Sequence, residues 1–191
     1  MIELALMVID RLVGLVRARE ASNRQLHDDF LAPMVADFER LHQNYVDTFN
    51  GYRSSLLAAP DFEALLARIA TDVNSTSHLR SKLQALTPLR KDPVFGSLVG
   101  TAHAYLATGE MGRHVLMEGT RPIPNAARQR IIAGLRQIAM EAVSPSTKAD
   151  RGIAVVDEVL GDLQGCYAAF ARSALATKRS LLDTRISPSD R

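Results

Sequence analysis

The sequence predicts an all-α fold, an elongated helical bundle of about five to seven helices, and three observations carry the prediction. No stretch alternates apolar and polar residues with period two. Proline and glycine fall in a few clusters, and between the clusters apolar residues recur every three or four positions. Two of these stripes run for about 35 residues, roughly 50 Å at the helical rise. A helix of that length cannot cover its own apolar face, so the two are expected to lie antiparallel against each other.

The first helix is expected over about residues 2–21, with Ile2, Ala5, Leu6, Ile9, Leu12, Val13 and Val16 on one arc and Glu3, Asp10 and Arg17 opposite. The second is one of the two long ones. Its stripe is Leu26, Phe30, Met34, Phe38, Leu41, Tyr45, Phe49, Tyr52 and Leu56. Pro33 removes a backbone donor and crowds the preceding turn, which predicts a kink or short break near Leu31–Pro33. Ala59-Pro60-Asp61 then reads as a turn and a helix start.

A third helix follows with Phe62, Leu65, Leu66, Ile69, Val73, Leu79, Leu83 and Leu86 inward, open to a break at the polar run 74–77. Thr87 to Pro93 is a loop, with Asp92 as N-cap and Pro93 at the first helical position of a fourth helix over about 94–107. Residues 109–125 hold three glycines and two prolines and are expected to be irregular. The fifth helix covers about 125–142, with Ile131, Ile132, Leu135 and Ile138 inward, and Ser144-Pro145-Ser146 ends it.

The C-terminal helix begins near Lys148. Its seam is Ile153, Val156, Leu160, Leu163, Tyr167, Phe170, Ala174, Thr177 and Leu181, at alternating steps of three and four. Beside the seam runs a small-residue stripe, Gly161, Gly165, Ala169, Ser173, Ala176 and Ser180. Glycine in a helix costs about 1 kcal/mol relative to alanine, so this stripe predicts a face that a neighbouring helix approaches closely. Residues 1–186 are read as one helical domain and 187–191 as a disordered tail.

Composition narrows the function classes. The chain has 191 residues, 47% of them hydrophobic and 23% charged, which excludes a disordered polymer. Arginine outnumbers lysine about fivefold, read as the imprint of a GC-rich bacterial genome. A net charge of +2 makes no strong case for nucleic acid or an anionic membrane. The single cysteine, Cys166, cannot form an internal disulfide, and Glu3, Asp10 and Arg11 interrupt the apolar N-terminus where a signal peptide or spanning helix would be continuous. A soluble cytoplasmic protein is expected.

Candidate chemistry is sparse. Glu39 and His42 form a Glu-x-x-His pair, of which a di-iron bundle needs two. The nearest substitute is Glu110 with His114, and a metal-dependent enzyme would draw on these four. Cys166 lies within the C-terminal helix with no histidine near in sequence, and reads as a packing residue. No Gly-x-Ser-x-Gly elbow and no phosphate loop occur.

Charge is unevenly distributed. Residues 25–50 carry five acids against Arg40, while residues 111–136 carry Arg113, Arg121, Arg128, Arg130 and Arg136 against Glu118. The arginines form a patch able to meet phosphates or to pair with the acidic second helix. An amphipathic first helix at a membrane surface is a further alternative, although its polar face lacks lysine.

These readings favour a non-enzymatic helical interaction protein, an adaptor or subunit of a larger assembly, with no cofactor. A protein partner or a second copy is expected at Ala174, Thr177 and Leu181 of the seam, or at Leu6, Ile9 and Val13 of the first helix.

Overall fold

A computed structural model describes residues 2–18, 20–58, 61–73, 84, 86–110 and 127–182. Among the described residues stand six helices and no strand: α1 (Ile2–Arg17), α2 (residues 23–58), α3 (Phe62–Val73), α4 (Gly96–Glu110), α5 (Ala127–Ala139) and α6 (Pro145–Leu182). The all-α bundle with two long helices is as the apolar spacing predicts. Several expectations lie outside the described residues: the continuation of the third helix through Leu79 and Leu83 with its polar run 74–77, the irregular segment from 111 to 125, and the tail 187–191.

α1 is shorter than expected and turns a slightly different face inward. Ala5, Val8, Ile9, Leu12 and Leu15 are buried, whereas Leu6, Val13 and Val16 are half-buried. The helix is tied down at Arg11, whose Nε donates to Asp37 Oδ2 of α2 at 2.7 Å.

Pro33 does not break α2. The helix opens on Asn23–Gln25, with the Gln25 N–H donating to the Ser22 hydroxyl at 3.2 Å, passes through a π-helical segment at Leu26–Leu31, and continues as α-helix over Ala32–Ala58. At the exit of the wide turn, the Ala32 N–H bonds back to the His27 carbonyl, five residues earlier. The wider turn just ahead of the proline is where the ladder absorbs it. It also corrects the stripe: the buried positions are Leu26, Leu31 and Met34, and Phe30 rotates to a half-buried site. From Phe38 to Leu56 the expected positions are all buried.

Local signals place the other starts. The Ala64 N–H donates to Asp61 Oδ1 at 3.0 Å, so Asp61 caps α3. Asp92 Oδ1 accepts from the N–H groups of Val94 and Phe95 at 2.9 and 2.8 Å, after a 3₁₀ turn at Pro88–Lys91. It holds a turn over residues 93–95, however; α4 starts only at Gly96, so Pro93 is not its first helical residue. Pro145 does not end the fifth helix but opens α6 at its first position, where a missing N–H is harmless. Ser144 caps it, accepting from the Thr147 N–H at 3.2 Å, and Lys148 Nζ donates to the Ala139 carbonyl at the end of α5.

α2 and α6 run antiparallel as expected, since partners that rise in number along one fall along the other. Phe38 meets Phe170, His42 meets Tyr167, and Arg53 meets Asp157. α4 and α5 pack on α6, α1 packs on α2, and α3 on α5. The core is continuous and centres on Phe38, Tyr45, Tyr105 and Phe170, none more than 1% exposed.

The small-residue stripe of α6 is a correction. Gly161 and Gly165 are exposed, and a Cβ at either would meet nothing within 4 Å. The close approach is elsewhere: a Cβ on buried Gly152 would lie 3.1 Å from Leu135 and 3.2 Å from Leu56, where α2, α5 and α6 converge. Gly161→Ala and Gly165→Ala are therefore each expected to stabilise the fold by about 0.5–1 kcal/mol, by removing glycine's excess chain entropy at no steric cost. Chemical denaturation followed by circular dichroism checks this; a loss of stability in either variant refutes the open-face assignment.

Candidate functional site

The site begins with the seam running out of large side chains. Toward the end of α6, Tyr167 and Phe170 give way to Ala171 and Ala174, and the facing stretch of α2 offers Ala32 and Val35 just after the π-helical turn. Two helices held at the spacing set by Phe38 on Phe170 cannot close over such small groups. A half-open groove of about 300 Å³ results, bounded by His27, Leu31, Ala32 and Val35 of α2 and by Tyr167, Phe170, Ala171, Ala174, Leu175 and Lys178 of α6.

One wall is the rim of an aromatic cluster. Phe38 and Phe170 stack with centroids 3.6 Å apart, and the His42 ring lies parallel to Tyr167 at 4.0 Å. His42 Nδ1 is hydrogen-bonded to the Tyr105 hydroxyl at 2.9 Å. Burial lowers the His42 pKa from 6.5 and keeps the ring neutral. Burial, and then the Glu39 carboxylate, push the Tyr167 phenol up. At the mouth, His27 Nδ1 is 2.7 Å from Asp28 Oδ1, and that contact holds the Asp28 carboxyl below its usual range, with burial opposing and Arg24 assisting. Lys178 is exposed and makes no ion pair among the described residues.

Little of the expected chemistry assembles. Glu39 is exposed and His42 is committed to Tyr105 and Tyr167, while His114 and the side chain of Glu110 lie outside the described residues. Among the described residues no group of three or more His, Cys, Asp or Glu is placed to hold a metal ion. Cys166 is half-buried against the core.

Arg113 and Arg121 also lie outside the described residues. Of the other arginines, Arg128 is buried with its guanidinium 6.0 Å from the Tyr45 ring centroid, and only Arg136 is exposed. Arg130 pairs with Glu158 at 2.7 Å and with Asp162, both on α6. Internal pairing of basic and acidic segments is therefore real, but it joins α5 to α6, and α1 to α2 through Arg11 and Asp37. Of the described patch arginines, Arg130 pairs with α6 and Arg128 lies over Tyr45 of α2.

The expected partner-facing residues are mostly interior. Ala174, Thr177 and Leu181 are 5%, 7% and 6% exposed, and Ile9 is 1% exposed, with Leu6 and Val13 half-buried. Ala174 nonetheless forms part of the groove. Thr177 turns its hydroxyl back to the Ser173 carbonyl at 3.0 Å, which satisfies it inside the bundle. No helix among the described residues is long and apolar enough to cross a membrane.

The histidine seven residues before Glu110 in the sequence is buried. His103 of α4 is 4% exposed, and burial together with the nearby Arg90 cation lowers its pKa from 6.5 to about 4. The folded value lies below the unfolded one, so protons bind the unfolded chain preferentially. Stability is full well above pH 6.5 and falls as the pH drops to about 4, by roughly 3 kcal/mol. Urea midpoints at pH 7.5 and 4.5 check this, with His103→Leu expected to show a smaller acid loss; an unchanged loss in that variant removes His103 as its source.

Compared with known proteins, the chain matches no family model, no curated protein and no solved structure. Its class therefore rests on its own geometry: an all-α bundle with an apolar groove between its two long helices.

Proposed function

We propose that the chain is a non-enzymatic helical interaction protein, an adaptor or a subunit of a larger assembly, acting on a protein partner. The observation that carries this reading is a surface at the end of the bundle where α2, α3, α5 and α6 converge. Val143, 39% exposed, lines a concavity of about 400 Å³ with Phe62, Asp61, Glu63 and Lys148, and Met140, 89% exposed, directly follows Ala139 of its wall. Leu57, 68% exposed, projects from the last turn of α2 at the same end.

Apolar groups surrounded by charges of both signs are the anatomy of a protein-binding patch. An exposed methionine adapts to a partner's contour at small cost. Of the described histidines, His103 is buried within α4 and His42 is engaged with Tyr105 and Tyr167. A photoreactive amino acid at position 140, expressed in the native host, is expected to give a discrete cross-linked species that position 7 on α1 does not give and that Val143→Asp abolishes. A strict monomer by light scattering, with no cross-linked species from position 140, would overturn the reading.

A further inference from the structure

The groove between α2 and α6 lies away from that patch and has a chemistry of its own. Its walls are Leu31, Val35, Ala174 and Leu175, and its polar lining includes His27 at one side and Lys178 at the other. Leu175 is 49% exposed although the seam beside it is buried, so the apolar surface continues out of the groove to the lysine one turn on. Clefts of this size, apolar with one or two convergent polar groups, are the usual form of a small-ligand site.

Charge selects the head of the ligand. His27 is engaged with Asp28, whose carboxylate also has Arg24 at 3.6 Å, and no acid is among the described residues that line the groove. Lys178 has no such match among the described residues. From residue 163 to 182 the chain holds Arg172, Lys178 and Arg179 and no acid, so the whole rim contributed by this end of α6 favours an anion. Size selects the tail. A water takes about 30 Å³ in the liquid and a methylene is of similar bulk, so 300 Å³ receives about ten such groups.

We propose that the α2–α6 groove is a binding site for a free amphipathic carboxylate, an unbranched alkyl chain of about eight to ten carbons whose tail lies between the helices and whose carboxylate meets the Lys178 ammonium. The small side chains at Ala171 and Ala174 and the π-helical turn at Leu26–Leu31 make room for the tail. This site is independent of the partner patch at Met140 and Val143.

Titration calorimetry of the full chain with sodium decanoate, sodium acetate and decyltrimethylammonium tests it. Decanoate is expected to bind, acetate to give no signal, and decyltrimethylammonium to bind about tenfold more weakly than decanoate. Lys178→Glu is expected to reverse that order. Ala174→Phe, which fills the groove, should abolish decanoate binding; Ala171→Leu, at an exposed position, serves the same end if the first variant does not fold. Decanoate heat that survives Ala171→Leu, or an order of ligands unchanged in Lys178→Glu, overturns the proposal, as does the absence of decanoate binding to the parent chain.

Discussion

Phe38→Ala is expected to destabilise the bundle by about 3–5 kcal/mol, the usual cost of emptying a fully buried aromatic site. Phe38 is 0% exposed and is the point at which three helices meet: Phe170 of α6 stacks on it, and Tyr105 of α4 lies tilted at 4.7 Å between ring centroids. None of these neighbours can fill the void without leaving its own contacts, since Tyr105 is held to His42 and Phe170 closes the inner wall of the groove. Phe38→Leu keeps most of the volume and should cost about 1–2 kcal/mol. Urea denaturation followed by far-ultraviolet circular dichroism reads both. A loss below about 1 kcal/mol in the alanine variant would mean that the three-helix junction is not the centre of the core.

Arg11→Met should cost about 3 kcal/mol, through an isolated buried charge more than through lost packing. Asp37 is 4% exposed, and its carboxylate is satisfied by Arg11 at 2.7 Å, with Arg40 reaching its other oxygen only at 3.7 Å. Arg40 is largely solvated and is a weak substitute. Removing Arg11 leaves the carboxylate between α1 and α2 with that contact alone. Removing both charges, in Arg11→Met with Asp37→Leu, should recover most of the loss, because the desolvation cost of the acid goes with it. The double-mutant cycle is the measurement; a double variant as unstable as the sum of the two singles would show that the ion pair is not the link between the helices.

What the sequence disclosed was what adjacent turns of one helix decide among themselves. Most of the α2 and α6 stripes, the cap at Asp61, the side-chain-held turn at Asp92 and the antiparallel match of the long helices follow from spacing and side-chain chemistry. The π-helical turn was not legible, because the proline predicts only a disturbance, and the ladder accommodates it upstream at Leu26–Leu31. Nor was the identity of the crowded glycine. Gly161, Gly165 and Gly152 sit in the same helix, and only the positions of Leu56 and Leu135 distinguish them. The end of the seam at Ala174 marks the groove, but its floor and its other wall come from residues far away in the chain. The burial of His103 was not legible in its own neighbourhood, since its environment is made by the packing of α4.

The pairing of α2 with α6 bears on how the chain is made. Phe38 and Phe170 are separated by most of the sequence, and contacts between such distant residues form late because a long loop must close first. During synthesis α1 and α2 emerge together and join through Arg11 and Asp37, while the aromatic face of α2 has only Tyr105 of α4 and the cations of α3 and α5 to lie against until the second half of α6 brings Phe170. For that interval the nascent chain presents Phe38, Tyr45, Phe49 and Tyr52 as an open row, the surface a chaperone would hold and the one through which two unfinished chains would first aggregate.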